Sequence, residues 1–183
     1  MDNGASSYRR YLSGDENAFD EIMENYFDSL IFFIDRYVHD TSAAEDIAID
    51  TFTYMITNPH KYDFRVTLKT YLFMIGKSRA LNYLKHRAKF QTADILISEN
   101  DISERITLEE SVIKNEQNRL LNKAVEQLSD DMKIAVHLVY FEELSYEEAA
   151  KVMKKNKKQV DNLLYRAKNT LRTILEKEGT VLL

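Results

Sequence analysis

Apolar residues recur at intervals of three and four along most of the chain. Phe19, Ile22, Tyr26, Leu30, Phe33, Ile34 and Tyr37 make one such stripe and predict a long first helix over about 15–39. Ala48, Phe52, Met55 and Ile56 mark a second helix, opened by a capping box of Ser42 with Glu45 and stopped by "NPH" at 58–60. A third is predicted over about 67–89, with Leu68, Tyr71, Leu72 and Ile75 turned inward. The pattern then fades across 90–118, which reads as an interdomain tether, and resumes with Leu120, Leu121, Ala124, Val125 and Leu128.

Ser129 is expected to cap a helix running through Ile134, Ala135, Leu138 and Phe141. Ser145 with Glu148 is a further capping box, opening a short helix whose inner face carries Tyr146, Ala149, Ala150 and Met153. Asn156, with Gln159 three positions on, is suited to cap a longer helix striped by Val160, Leu163, Leu164, Ala167, Leu171 and Ile174. Two helices joined by so tight a turn are a helix-turn-helix. The pattern therefore predicts two helical domains, 1–89 and 119–183, joined by a linker over 90–118.

Composition supports an all-α chain, because 183 residues contain only four glycines and one proline beside 44% hydrophobic residues. With no cysteine, disulfides, thiol catalysis and cysteine-ligated zinc are excluded. His39, His60, His86 and His137 lie at no metal-ligand spacing, and no glycine-rich phosphate loop is present, so no enzyme activity, metal or cofactor is expected. The N-terminal residues lack the apolar core of a signal peptide and no stretch is long enough to span a bilayer, which predicts a cytoplasmic protein without membrane insertion.

Charge changes the picture further. The formal net charge is −5, yet residues 1–63 carry −9, residues 64–89 carry +7 and residues 151–183 carry +6. Either basic island alone reads equally well as a solvated helix face. Two islands separated by an acidic stretch fit two contacts with a polyanion better, since phosphate neutralisation depends on local charge. The second island includes "KVMKKNKKQV" at 151–160, where the second helix of the helix-turn-helix begins. Lys157, Lys158, Asp161 and Asn162 would face outward there, able to reach base edges while the helix N-terminus faces phosphates.

Three segments, in this order, resemble the extracytoplasmic-function sigma factors, small bacterial proteins that keep only the sigma-two and sigma-four domains. "AEDIAIDTF" (44–52) is similar to the family's core-binding helix, with Glu45, Asp46, Asp50 and Phe52 at matching positions and Ile49 where glutamine is usual. "TYLFMIGKSRALNYLKHR" (70–87) is similar to its minus-ten-reading and melting helix, matching at Leu72, Ile75, Arg79, Ala80, Tyr83, Leu84 and Arg87. "LSYEEAAKVMKKNKKQVDNLLYRAKNTLRTIL" (144–175) resembles its minus-thirty-five helix-turn-helix, with Lys154 where the turn usually has glycine.

The resemblance implies a dissociable specificity subunit of bacterial RNA polymerase that helps melt promoter DNA. Glu45, Asp46, Asp50 and Phe52 would dock on the clamp helices of the β′ subunit, and the C-terminal domain on the β flap. Lys77, Arg79, Asn82, Tyr83, Lys85, His86, Arg87 and Lys89 would contact minus-ten DNA. The loop "HKYDFRV" (60–66) would receive a flipped non-template base, for which Tyr62 and Phe64 are the aromatic residues available; anchoring of the loop into the core is an equal alternative for each. Ser145, Lys155, Asn156, Lys157, Lys158, Gln159, Asp161, Asn162, Tyr165 and Arg166 would meet minus-thirty-five DNA. An anti-sigma protein is a further implied partner. The competing readings are a stand-alone helix-turn-helix regulator, weakened by the acidic balance, and a helical adaptor that touches only protein.

Overall fold

The computed structural model describes residues 4–93 and 123–177, and every regular element among them is helical. They fall into two compact units, residues 4–93 in one and 123–177 in the other. The first contains α1 (Ala5–Leu12), α2 (Asn17–Val38), α3 (Thr41–Thr57), a 3₁₀ turn (Pro59–Lys61) and α4 (Leu68–Ala93). The second contains α5 (Asp130–Val136), α6 (Tyr146–Met153) and α7 (Lys157–Lys177).

The periodic stripes become the core of the first unit. Leu30, Phe33 and Ile34 of α2 are fully buried, as are Ala44, Ala48 and Met55 of α3 and Leu68, Leu72, Phe73 and Ala80 of α4. Phe33 and Phe73 meet with ring centroids 4.7 Å apart. Burial of each large apolar side chain of this kind contributes about 1.5–3 kcal/mol. Gly76 allows α4 to approach α2 closely, because a Cβ there would lie 2.9 Å from Leu30 Cδ1.

Several boundaries differ from the sequence expectation. Helix α1 was not anticipated; it is held by Tyr8, whose fully buried side chain donates a hydrogen bond to the Met55 carbonyl at 3.1 Å. Asp40 rather than Ser42 caps α3, accepting from the Ala43 amide at 3.0 Å. Ser42 lies two residues too far in, within the helix and exposed. Helix α4 continues four residues past Lys89, to Ala93, into the predicted tether. The remainder of that tether, together with Leu120 and Leu121, lies outside the described residues.

In the second unit Leu128, Met132 and Ala167 form a buried cluster, with Val125, Val136, Leu163 and Leu171 packed around it. Ser129 occupies the N-cap position of α5 but makes no side-chain capping bond. A π-type turn over His137–Phe141 then interrupts the α-helical phase, its close marked by the Glu142 amide donating to the His137 carbonyl at 3.0 Å. The wider turn rotates later side chains out of register. His137 and Leu138 stay buried while Phe141, expected inside, is exposed.

The two capping boxes of the helix-turn-helix form as expected. The Ser145 hydroxyl accepts from the Glu148 amide at 3.3 Å, and the Glu148 carboxylate accepts from the Ser145 amide at 3.0 Å. Asn156 and Gln159 exchange the equivalent pair of bonds, each at 2.8 Å. Between them the chain leaves α6 through a left-handed Lys154, with the Lys155 amide donating to the Ala150 carbonyl at 2.9 Å and the Lys154 amide to the Lys151 carbonyl at 3.2 Å. That pair of bonds is a Schellman motif.

Candidate nucleic-acid interface

On α3, residues at 42, 45, 46, 49, 50 and 53 form one exposed face. Glu45, Asp46 and Asp50 make it acidic, and Ile49, 51% exposed, places an apolar side chain among them. Asp50 also accepts from Arg79 of α4 at 3.4 Å, and the Arg79 guanidinium lies 5.3 Å from the Tyr54 ring centroid. Phe52 is not part of this face. It is 2% exposed and packed against Phe19 and Phe27, so it supports the helix from inside rather than lying on the exposed face.

The first basic island divides in two. Asn82, Lys85, His86, Arg87 and Lys89 are exposed along the C-terminal half of α4, with Tyr83 half-buried beside them. Lys77, by contrast, is only 8% exposed, with its ammonium 5.9 Å from the Tyr37 ring centroid. It lies four residues after buried Phe73 and three before buried Ala80, on the inner stripe. It is therefore an internal residue rather than a phosphate ligand, and Arg79, shared with Asp50 and Tyr54, is half-committed to the fold.

The two aromatics of the 60–66 loop also part company. Tyr62 is 3% exposed; its hydroxyl donates to the Val66 carbonyl at 2.8 Å and its ring stacks on Tyr71 with centroids 4.9 Å apart. Burial pushes the Tyr62 hydroxyl up to about 12, so it stays a neutral donor. Tyr62 is the loop's anchor and offers no face to a base. Phe64 is half-buried, lies 4.5 Å from Tyr62 between centroids, and adopts φ 61°, a conformation costing a bulky residue about 1–2 kcal/mol. On it rests the guanidinium of Arg9, 4.6 Å from the ring centroid. The sequence gives little sign of this role for Arg9: "YRRYL" at 8–12 sets two arginines between aromatics, but an acidic stretch follows it and the 60–66 loop is about fifty residues away.

Along α7, Lys158, Asp161, Asn162, Tyr165, Arg166 and Lys168 are exposed. The stripe that turns them outward is Val160, Leu164 and Ala167, all buried. The lysines of the turn are not equivalent. Lys155 pairs with Asp131 of α5 at 3.0 Å, and Lys157 pairs with Glu147 of α6 at 2.5 Å. The Lys157 ammonium holds the Glu147 carboxyl below its ordinary range, and Glu147 in turn raises Lys157. No acidic side chain among the described residues pairs with Lys158, Arg166 or Lys168. Ser145, Asn156 and Gln159 use side-chain atoms as caps, leaving the amide NH₂ groups of Asn156 and Gln159 as outward donors.

This arrangement, an acidic-faced helix and a basic helix in one unit with a basic helix-turn-helix in the other, agrees with comparison to known proteins. Residues 22–90 match the family Sigma-70 region 2, and residues 118–171 match Sigma-70, region 4. The chain is 26% identical over 161 residues to the ECF RNA polymerase sigma factor SigM of Bacillus subtilis, covering 85% of this chain and 93% of that one. The chain belongs to the extracytoplasmic-function sigma factors.

The RNA polymerase sigma-H factor of Pseudomonas aeruginosa is another relative, 25% identical over 175 residues and 91% of each chain. The fold is shared with the sigma factor RpoE of Bartonella quintana, solved in complex with the anti-sigma factor NepR: the TM-score is 0.67 at 20% identity, over 86% of this chain and 96% of that one. As a sigma factor the chain serves transcription initiation by RNA polymerase. A match to region 2 has no place in a stand-alone operator-binding regulator, and that alternative is not favoured. No helix among the described residues is long and apolar enough to cross a membrane.

Proposed function

We propose that the first unit docks on the clamp helices of the polymerase β′ subunit through the outer face of α3, with Glu45 and Asp46 as the charged contacts and Ile49 as an apolar centre. Asp50 contributes while remaining tied to Arg79. The observation that carries this reading is the contrast between adjacent helices of one unit, an exposed acidic face on α3 and an exposed basic half on α4. The polymerase supplies the chemistry, and the sigma factor itself catalyses nothing.

In the same reading Asn82, Lys85, His86, Arg87 and Lys89 hold the backbone of the upstream minus-ten region. The 60–66 loop, propped by Tyr62 and presenting Phe64, receives a base turned out of the non-template strand. Helix α7 enters the major groove at the minus-thirty-five element, with Lys158 and Arg166 on phosphates and Asp161, Asn162 and Tyr165 toward base edges. Domains 1–89 and 119–183, linked by 90–118, place the two readers on one promoter while the second domain sits on the β flap. The protein acts in the cytoplasm and pairs with an anti-sigma protein, as RpoE of Bartonella quintana does with NepR in their solved complex.

Binding of the purified chain to core polymerase tests the docking face. Glu45→Lys with Asp46→Lys is expected to lower affinity at least tenfold, about 1.4 kcal/mol, while leaving thermal melting unchanged. Full binding by the folded double variant would remove α3 as the docking helix.

A further inference from the structure

Two neighbouring arginines of α1 have opposite fates. Arg10 is clamped by Asp15 at 2.7 Å and by both Glu21 oxygens at 3.0 Å, and the Ser7 hydroxyl donates to Glu21 as well. These bonds and buried Tyr8 fix α1 against α2 and α3. The Tyr8 ring meets the rings of Tyr62 at 5.5 Å and Phe64 at 6.2 Å, so α1 also backs the 60–66 loop. Arg9, one position earlier, is exposed, and no acidic side chain among the described residues pairs with it. Its guanidinium lies over Phe64 alone, 4.6 Å from the ring centroid.

The surroundings are basic. Lys61 and Arg65 are exposed on the loop, and its one carboxylate, Asp63, is engaged with Arg65 at 3.3 Å. A charged, planar donor held over a half-buried aromatic ring at the rim of a basic loop suits single-stranded nucleic acid. Bases stack on aromatic rings and guanidinium planes, and the remaining N–H groups of arginine can reach a phosphate. The strained backbone at Phe64 fits a surface shaped for a ligand, since such strain collects at functional sites.

We propose that Arg9 is a DNA-binding residue of this sigma factor, which together with Phe64 forms a cation-aromatic platform gripping the non-template strand where it enters the 60–66 loop. The proposal rests on the base-receiving role assigned to that loop. It makes α1 part of the promoter-reading surface rather than a packing helix only. Arg9 neutralises a phosphate of the strand, and Phe64 supports the base turned toward the loop.

The test uses holoenzyme, assembled from core polymerase and the full chain, with a fluorescent single-stranded oligonucleotide of the non-template minus-ten region, titrated over a range of salt. Arg9→Ala is expected to weaken binding about fivefold and to flatten the salt dependence by about 0.7 in slope, the value for one phosphate contact on a single strand. Arg9→Lys should retain the slope and recover part of the affinity, because it keeps the charge and loses the plane. A folded Arg9→Ala variant with wild-type slope overturns the proposal even if its affinity falls, since loss of a mere prop for Phe64 changes affinity without releasing a counterion. Failure of the underlying loop reading looks different: wild-type holoenzyme then binds template-strand and non-template-strand oligonucleotides equally, whatever residue stands at position 9, and both assignments fall together.

Discussion

Lys154 leaves α6 with φ 54°, a conformation that glycine reaches freely and a side chain reaches at a cost. Lys154→Gly is therefore expected to stabilise the second domain by about 1 kcal/mol, raising its melting temperature by about 5 °C. An unchanged or lower melting temperature would mean the lysine is repaid elsewhere. The lysines that follow separate by partner. Lys158 lies in the first turn of α7 without a carboxylate partner among the described residues, where its charge opposes the helix dipole. Lys158→Ala should keep or slightly raise thermal stability while reducing the salt slope of holoenzyme binding to minus-thirty-five DNA by about 0.9. Lys157 already has Glu147 to offset the same repulsion, so Lys157→Ala should bring no gain in melting temperature. Equal gains from both substitutions would show that the Glu147 pair is idle in solution.

At the level of elements, α1 is held by buried Tyr8 and by one ionic clamp. The Arg10 guanidinium holds the carboxyls of Asp15 and Glu21 below their ordinary range, chiefly through its hydrogen bonds to them. A carboxyl depressed in the folded state contributes stability above its unfolded value of about 4, and that contribution is lost as pH falls through the folded value. The difference in melting temperature between the wild type and Arg10→Ala should thus be full at pH 6 and shrink toward pH 3. A gap of constant size would place the effect in packing instead. Helix α1 escaped the sequence pattern because eight residues, "ASSYRRYL", hold too few apolar positions to show a period, and its anchor, Tyr8, reaches a carbonyl 47 residues away. Capping boxes at Ser145 and Asn156 were legible because all their bonds close within four residues. Phe141 was misplaced because a π-type turn leaves no mark on an i, i+3, i+4 template. Lys77 and Phe52 were legible but outweighed: spacing from Phe73 and Ala80, and from Ala48 and Met55, puts both inside, whereas charge and family resemblance suggested an outward role. Whether Tyr62 served as anchor or stacking face depends on tertiary contacts with Tyr8 and Tyr71 that sequence spacing does not contain.

At the scale of the whole molecule, the proposed function has an acidic chain read DNA only as part of a larger assembly. A net charge of −5 works against a free protein holding a duplex at cellular salt, and on the proposed reading the two basic islands act together only in the polymerase assembly. Splitting the roles predicts that Lys85→Ala, Arg87→Ala and Lys89→Ala in one variant leaves core binding intact and reduces open-complex formation at least tenfold, as measured by permanganate reactivity of unpaired thymines. Wild-type melting by that variant would reduce the exposed half of α4 to a solvated face. The most direct test of the central claim is transcription in vitro from genomic DNA with core polymerase, with and without the purified chain. Discrete start sites are expected to appear only when the chain is added and to vanish with Glu45→Lys and Asp46→Lys. Transcripts that do not depend on the chain, or sequence-specific protection of DNA by the chain alone with no stimulation of core polymerase, would contradict that claim.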